Sequence, residues 1–298
     1  MPLIYNGTEI ETIIYNGVTL DKLIYNGVVV WEGIPDYTVL YFKNTTDTNV
    51  TQQVGGGLIK NDTTPTYVYV NDVLLTTWTT SGSQVGWSSY FDMPPNQDVV
   101  VKIVGGSFYL PRKINYRSNY MYKAVLGKNV VGPMTLGLDS EEALTTLVIG
   151  PNITEIDNIP DSVTSLTISE GLQTILNQCF YGNTGLTEIK VPSTVNKIEY
   201  YAFGSCSQLT SITIPNPQCQ LEIPFNDCPV LSDIYIYTTA EQTTKADSGW
   251  GGWCRGCTLT PTIHLSQSIG TIEQARSLFG SIFDLIQSGR YCTVVFDL

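Results

Sequence analysis

Few residues in this chain have types and spacings that could do chemistry. A single histidine, His264, sits in the run Thr-Ile-His-Leu. One imidazole is enough for a Ser-His or Cys-His nucleophile system. The sequence places no evident nucleophile or orienting acid beside it, so His264 reads as a strand-face residue rather than a base. The seven cysteines are Cys179, Cys206, Cys219, Cys228, Cys254, Cys257 and Cys292. Cys254 and Cys257 form one Cys-x-x-Cys in GGWCRGC. Zinc would need two further ligands there, and a lone histidine cannot supply a His-x-x-x-His pair. A Gly-rich loop carrying two thiols is the expected reading, with no metal and no cofactor. The densest carboxylates, Asp139, Glu141 and Glu142, lie in LDSEEAL. Two acids would suffice for a glycosidase, but a helix N-cap followed by acids in the first turn explains these locally. No Walker loop, Gly-x-Ser-x-Gly elbow or His-Glu-x-x-His is present. The expectation is a protein that is not an enzyme.

Charge narrows the partners. The net charge is −12, from 15 basic and 27 acidic residues, and such a surface repels phosphate backbones. Nucleic acid is therefore not an expected partner. The local exception is LPRKINYRSNYMYK, which interleaves Arg112, Lys113, Arg117 and Lys123 with Tyr116, Tyr120 and Tyr122. Against the acidic background it reads as a solvated strand and connector. Only 14% of residues are charged while Tyr numbers 18 and Gly 26, a composition that favours strands and turns. No basic n-region precedes an apolar run at the start, and no stretch reaches the ~20 apolar residues of a membrane span. Synthesis in a cytoplasm with reduced thiols, and no membrane insertion, are the expectations.

The elements that must position these residues come in repeats. LIYNGTEIET, IIYNGVTLDK and LIYNGVVVWE recur with a period of ten, placing Tyr5, Tyr15 and Tyr25 at equivalent positions. Asn-Gly is the strongest two-residue hairpin signal because a type I′ turn needs φ > 0 at both positions. With Asn6-Gly7 as the turn, Tyr5 faces Thr8 and Ile4 faces Glu9. Strand, turn, strand and a second short connection account for the ten residues, so a meander of short strands is expected over residues 1–33. Thirty residues cannot bury the apolar face carrying Tyr5, Tyr15 and Tyr25. Those tyrosines and Trp31 are the expected assembly residues.

After the short linker EGIPDY, residues 36–119 alternate β-rich runs with turn clusters, Asn71-Asp72 among them, and a small antiparallel β-sandwich is expected. Trp78, Trp87, Tyr90 and Phe91 read as core filling in preference to a binding patch. Asn-x-Ser/Thr triplets at Asn44 and Asn152 read as chance in a Thr-rich chain.

A longer repeat begins near residue 120. The apolar-x-apolar cores Ala124–Leu126, Leu147–Ile149, Leu166–Ile168, Ile189–Val191, Ile212–Ile214 and Ile234–Ile236 start 23, 19, 23, 23 and 22 residues apart. One strand per 20–29 residues is the solenoid signature, in which stacked units join their apolar faces into one core. ILNQCFYGNTGLTEIKVP and IEYYAFGSCSQLTSITIP align at an offset of 23, Phe180 meeting Phe203 and Asn183 meeting Cys206, while the next unit keeps Phe225 and Cys228. Cys206 and Cys228 therefore read as small buried residues at a bend. Thr271 and Gln274 form a capping box ahead of Ile272, Ala275, Leu278, Phe279, Ile282, Phe283 and Ile286 at helical spacing, and YCTVVFDL closes as a strand. This ending reads as the cap a solenoid requires. The fold class is mainly β: a hairpin repeat, a small sandwich, then a solenoid over 120–298 with a helix–strand cap.

AFGSCSQLTSITIP resembles the BspA-like leucine-rich repeat of bacterial surface proteins, A-F-x-x-C-x-x-L-x-x-I-x-I-P. The resemblance is close over 174–236 and weaker over 121–173. It implies a curved solenoid with roles in adhesion or recognition. The YNG repeats ending in VWEG resemble N-terminal segments of bacteriophage tail or head-fibre structural proteins. That resemblance implies a virion protein with an N-terminal anchor to other virion proteins, a host-surface glycan or protein as receptor, and a homo-oligomer with three copies favoured. A bacterial surface adhesin and a polysaccharide depolymerase are the alternative readings.

Strand alternation says where a receptor would bind. The middle residue of each core points away from the interior, giving the row Val125, Val148, Thr167, Lys190, Thr213, Tyr235 and His264. The turn aromatics Tyr200, Tyr201, Trp250 and Trp253 form a second candidate, suited to stacking on sugar rings.

Overall fold

The structure is a computed structural model. It describes residues 4–5, 8–9, 13–15, 18–20, 22–25, 28–32, 34–60, 63–78, 87–109, 120–135, 144–222, 224–237, 254, 256–279 and 293–298, with residues 4–32, 55–60, 87–88, 109, 135 and 276 as backbone only. The chain is mainly β, 43% strand against 5% helix. Asp139, Glu141 and Glu142, the basic run 110–119, Trp250, Trp253 and Cys292 lie outside the described residues.

Each YNG copy forms its own hairpin: β1 (Ile4–Tyr5) with β2 (Thr8–Glu9), β3 (Ile13–Tyr15) with β4 (Val18–Leu20), and β5 (Lys22–Tyr25) with β6 (Val28–Glu32). The register pairs Ile4 with Glu9, Tyr5 with Thr8, Tyr15 with Val18 and Tyr25 with Val28. Trp31 pairs with Leu23. The expected continuous meander is replaced by three separate two-stranded sheets among the described residues. Asn-Gly tolerates the left-handed backbone of a tight hairpin, which fits one hairpin per copy.

The next seven strands form two facing sheets. β7 (Thr38–Lys43), β9 (Thr66–Val70), β10 (Val73–Trp78) and β12 (Asp98–Gly105) pair antiparallel in the order β10-β9-β12-β7. β8 (Val50–Lys60), β11 (Trp87–Met93) and β13 (Phe108–Tyr109) make the second sheet, in the order β11-β8-β13. Asn71 and Asp72 adopt φ of 47° and 65°, as a type I′ turn between β9 and β10 demands. Phe42 and Phe91 meet across the sheets, ring centroids 5.4 Å apart and edge to face. Trp78 and Phe91 are buried, whereas Tyr90 is 61% exposed. Asn44 is fully buried: its Nδ2 donates to the carbonyls of Thr48, Met93 and Pro94, and its Oδ1 accepts from Thr46 N and Oγ1. That saturated side chain is a structural pin between loops.

The larger sheet continues straight into the solenoid. β14 (Met121–Leu126) runs antiparallel to β7 on one edge and parallel to β16 (Thr146–Ile149) on the other, and β16 pairs in parallel with β18 (Ser165–Ile168). The sequence divides sandwich from solenoid near residue 120, but one seven-stranded sheet spans that point. One hydrophobic core likewise runs from Leu40 to Phe279.

The solenoid has two strands per repeat where the sequence indicates one. β15 (Gly132–Thr135), β17 (Ile153–Asp157), β19 (Thr174–Ile175), β21 (Lys197–Ile198) and β23 (Gln220–Leu221) form a second parallel sheet. The signal was the recurring Thr-Ile, Lys-Ile and Gln-Leu pair at 23-residue spacing, too short to read as a strand alone. β20 (Glu188–Lys190), β22 (Ser211–Ile214), β24 (Asp233–Ile236), β25 (Thr262–Leu265) and β26 (Thr293–Phe296) make a five-stranded parallel sheet that extends the stack. A short 3₁₀ turn (Gln267–Ile269) and α1 (Ile272–Phe279) separate β25 from the last strand. Thr271 Oγ1 accepts from Gln274 N at 3.2 Å, the cap expected of Thr-x-x-Gln. Ile282, Phe283 and Ile286 lie outside the described residues.

Packing inside the stack is repetitive. Phe180, Phe203 and Phe225 are fully buried and stack in file, with centroid separations of 5.2 and 5.9 Å. The bend position beside them is Asn183, then Cys206, then Cys228, all fully buried. Cys206 Sγ donates to Phe180 O at 3.1 Å and Cys228 Sγ to Phe203 O at 3.0 Å, so each thiol ties its repeat to the one before. Hydroxyls do the same at the strand starts: Thr164 Oγ1 donates to Thr145 O, Thr210 Oγ1 to Thr187 O, and Ser232 Oγ to Thr210 O.

Candidate recognition face

The outward row assembles in two files. Val125, Val148 and Thr167 are register partners on β14, β16 and β18. Lys190, Thr213, Tyr235 and His264 are register partners on β20, β22, β24 and β25, followed by Val295 on β26. The sequence treats these as one row. The structure divides it between Thr167 and Lys190, because β18 and β20 edge different sheets. The division falls where a 19-residue repeat gives way to a 23-residue one. Leu166 and Ile168 on β18, at this division, are only half-buried.

In the second file Lys190 is exposed and Thr213, Tyr235 and His264 are half-buried, between inward residues Ile189, Ile212, Ile214, Ile234, Ile236 and Ile263 that form the core. The face is therefore rigid underneath and mixed in character above: one cation, one hydroxyl and two rings. Tyr235 and His264 stack with centroids 4.3 Å apart and planes at 19°.

His264 does have orienting acids, contrary to the sequence reading. Its Nδ1 lies 2.9 Å from Asp297 Oδ2 and 3.0 Å from Oδ1, and its Nε2 lies 3.0 Å from Asp233 Oδ1. Burial pulls the imidazole pKa down, but hydrogen bonds to Asp233 and Asp297 outweigh it and hold the pKa above its ordinary value. Asp233 is held below the usual carboxylate range, first by the Ser232 hydroxyl and then by His264. The signal for both acids was alternation: Asp233 is two residues before Tyr235, and Asp297 two after Val295, so both share the row's face. With both ring nitrogens engaged, His264 serves this face as a cross-strand brace.

The turn aromatics stand elsewhere. Tyr200 (exposed) and Tyr201 (half-buried, φ 53°) follow β21 in the connection to β22, off the outward row. The thiols are placed for packing. Burial raises the pKa of Cys179 and pushes Cys219 up to about 12, and a hydrogen bond with Cys206 together with burial raises Cys228. A hydrogen bond from the buried Cys254 lowers Cys257, whose Sγ donates to Phe225 O at 3.5 Å, continuing the bend-position series. Among the described residues no group of three or more His, Cys, Asp or Glu is placed to hold a metal ion.

Residues 157–274 match the family model described as a BspA type leucine rich repeat region, in six copies. This part of the chain, less than half of its length, is similar to BspA-type repeats. The match begins later than the sequence resemblance near residue 121 and extends past 236, through β25 and into α1. Neither the curated proteins nor the solved structures contain a match. A leucine-rich repeat region of this type suggests a surface or protein-interaction module. The second file of the outward row lies wholly within the matched residues except for Val295.

Proposed function

We propose that this protein is a bacteriophage attachment protein: a tail, baseplate or head-fibre component whose N-terminal hairpins join it to the virion and whose BspA-type solenoid binds a host-surface glycan or protein. The observation that carries the attachment role is the in-register file Lys190–Thr213–Tyr235–His264. A cation, a hydroxyl and stacked aromatic rings on a stiff sheet can hydrogen-bond and stack on a sugar or a polar protein surface without losing much side-chain freedom. The anchor role draws on the three YNG hairpins, each too small to be stable alone in water. Association with the virion or with sister copies would give them the burial they need, and a homotrimer is the expected assembly. A bacterial surface adhesin built on the same repeat region is the second reading, which the BspA-type match accommodates equally.

Binding of the labelled full chain to bacterial cells that it decorates tests the attachment face. The triple variant Lys190→Ala, Thr213→Ala, Tyr235→Ala should lose about tenfold to a hundredfold in apparent affinity, the scale expected when one buried anchor is removed from a recognition patch. Tyr90→Ala, an exposed aromatic outside the repeat region, should bind like the parent. Parent-like binding by the triple variant would remove this face from the attachment role. Release of reducing ends from host polysaccharide would replace attachment by depolymerase activity.

A further inference from the structure

We propose that Asp233, His264 and Asp297 form a proton-operated clasp that fastens the final strand to the solenoid, so that loss of one proton loosens the capped end of the recognition face.

Valence limits what the ring can do. Each ring nitrogen of His264 faces carboxylate oxygen, Nδ1 at Asp297 and Nε2 at Asp233, all at 2.9–3.0 Å. A neutral imidazole carries one N–H, so it can donate to one of these acids only and must turn a lone pair toward the other. The imidazolium donates to both. This geometry suits the protonated ring, the one form that donates to both carboxylates.

The three groups also come from three successive elements. Asp233 opens β24, His264 lies on β25, and Asp297 directly follows β26. Among the described residues β26 pairs with β25 alone and ends the five-stranded sheet. Besides the clasp, backbone bonds from Leu298 N to Leu265 O and from Gln267 N to Leu298 O hold the tail. Among the described residues the titratable groups facing the ring are Asp233 and the stacked Tyr235 from β24, and Asp297 from the tail. Val295, the register partner on β26, is apolar. When the proton leaves, one carboxylate must let go. Asp297 is the more exposed of the two, 52% against 36% by side chain, and it sits on the strand with the single neighbour, so its side is the one that releases.

The direction with pH follows. The raised imidazole pKa means that its contribution is complete below about pH 6.5 and is lost as pH climbs through the folded value. The lowered pKa of Asp233 means that its contribution is present above about pH 4 and is lost as pH falls through the folded value. The clasp is closed from about pH 4 to about pH 6.5 and opens as pH rises further, through the raised value of the folded imidazole.

His264 is the only histidine of the chain, so its imidazole resonance can be followed by NMR without assignment ambiguity. A titration midpoint above about 6.5 is expected, and one at or below it would overturn the proposal. Hydrogen exchange reads the consequence in the same full-length protein. Corrected for intrinsic rates and referred to β22, protection of residues 293–298 should fall about fivefold or more between about pH 5.5 and about pH 8. In Asp297→Asn, whose amide accepts more weakly, the fall should shrink to less than about twofold. Equal protection at both pH values in the parent, or an undiminished fall in Asp297→Asn, would also overturn it. Neither readout needs a receptor, so the clasp stands or falls separately from the attachment reading.

Discussion

Replacing Phe203 by alanine should cost about 3–5 kcal/mol of stability, the largest single effect expected in this chain. Phe203 is fully buried and stacks on both neighbours, Phe180 at 5.2 Å and Phe225 at 5.9 Å. Truncation removes a ring from the middle of a file, so both flanking rings lose a face of contact and the cavity cannot be closed from one side. The neighbouring bend is pinned by Cys228 Sγ on Phe203 O and by Phe203 N on Pro224 O, which limits collapse of the backbone into the space. Urea unfolding should show the midpoint falling with the slope preserved if the stack still unfolds as a unit. Phe180→Ala, at the end of the file, should cost less. Equal losses at the two positions would mean that the stack contributes only burial, with no added value for the central ring.

Asn183→Ala should cost about 3 kcal/mol, several times the loss from Cys206→Ala, although the two residues occupy the same repeat position. The difference lies in how many groups each satisfies. Asn183 is fully buried; its Nδ2 donates to Pro160 O at 3.3 Å and Val163 O at 3.1 Å, and its Oδ1 accepts from Gly185 N at 3.0 Å and Leu186 N at 2.8 Å. Removing the amide leaves buried backbone donors and acceptors without partners, which costs more than losing the bond itself. Cys206 offers a single weak S–H bond to Phe180 O. The position matters because Asn183 reaches back across the change from a 19-residue to a 23-residue repeat, where β18 and β20 do not pair. Asn183→Cys should recover a fraction of the loss. If Asn183→Ala and Cys206→Ala cost the same, the amide is not what holds that junction.

The repeat region was the most legible part of the sequence. Each apolar-x-apolar core became a strand because inward Ile and Leu recur at a spacing that stacking can bury, and the outward residues followed by alternation. The asparagine-glycine hairpins were legible for an equally local reason, the demand for positive φ. What escaped was whatever depends on two distant segments meeting. The second solenoid sheet rests on two-residue strands such as Lys197–Ile198, whose partners lie a full repeat away. The union of β7 with β14 joins residues some eighty positions apart and carries no sequence mark. The split in the outward row coincides with a four-residue change in repeat length that reads as harmless variation. Asp297 escaped as a partner of His264 because the loop and helix between them hide the parallel pairing of β25 and β26.

Immunogold electron microscopy of native particles tests the central claim, that this chain is a virion attachment protein, most directly. One label would be raised against residues 1–33 and a second against the exposed edge of the repeat region around Lys190. The proposal predicts both labels on phage particles, with the repeat-region label outermost and the hairpin label at the particle body. Labels confined to bacterial cell envelopes, with phage particles bare, would contradict the virion reading and leave the adhesin in its place.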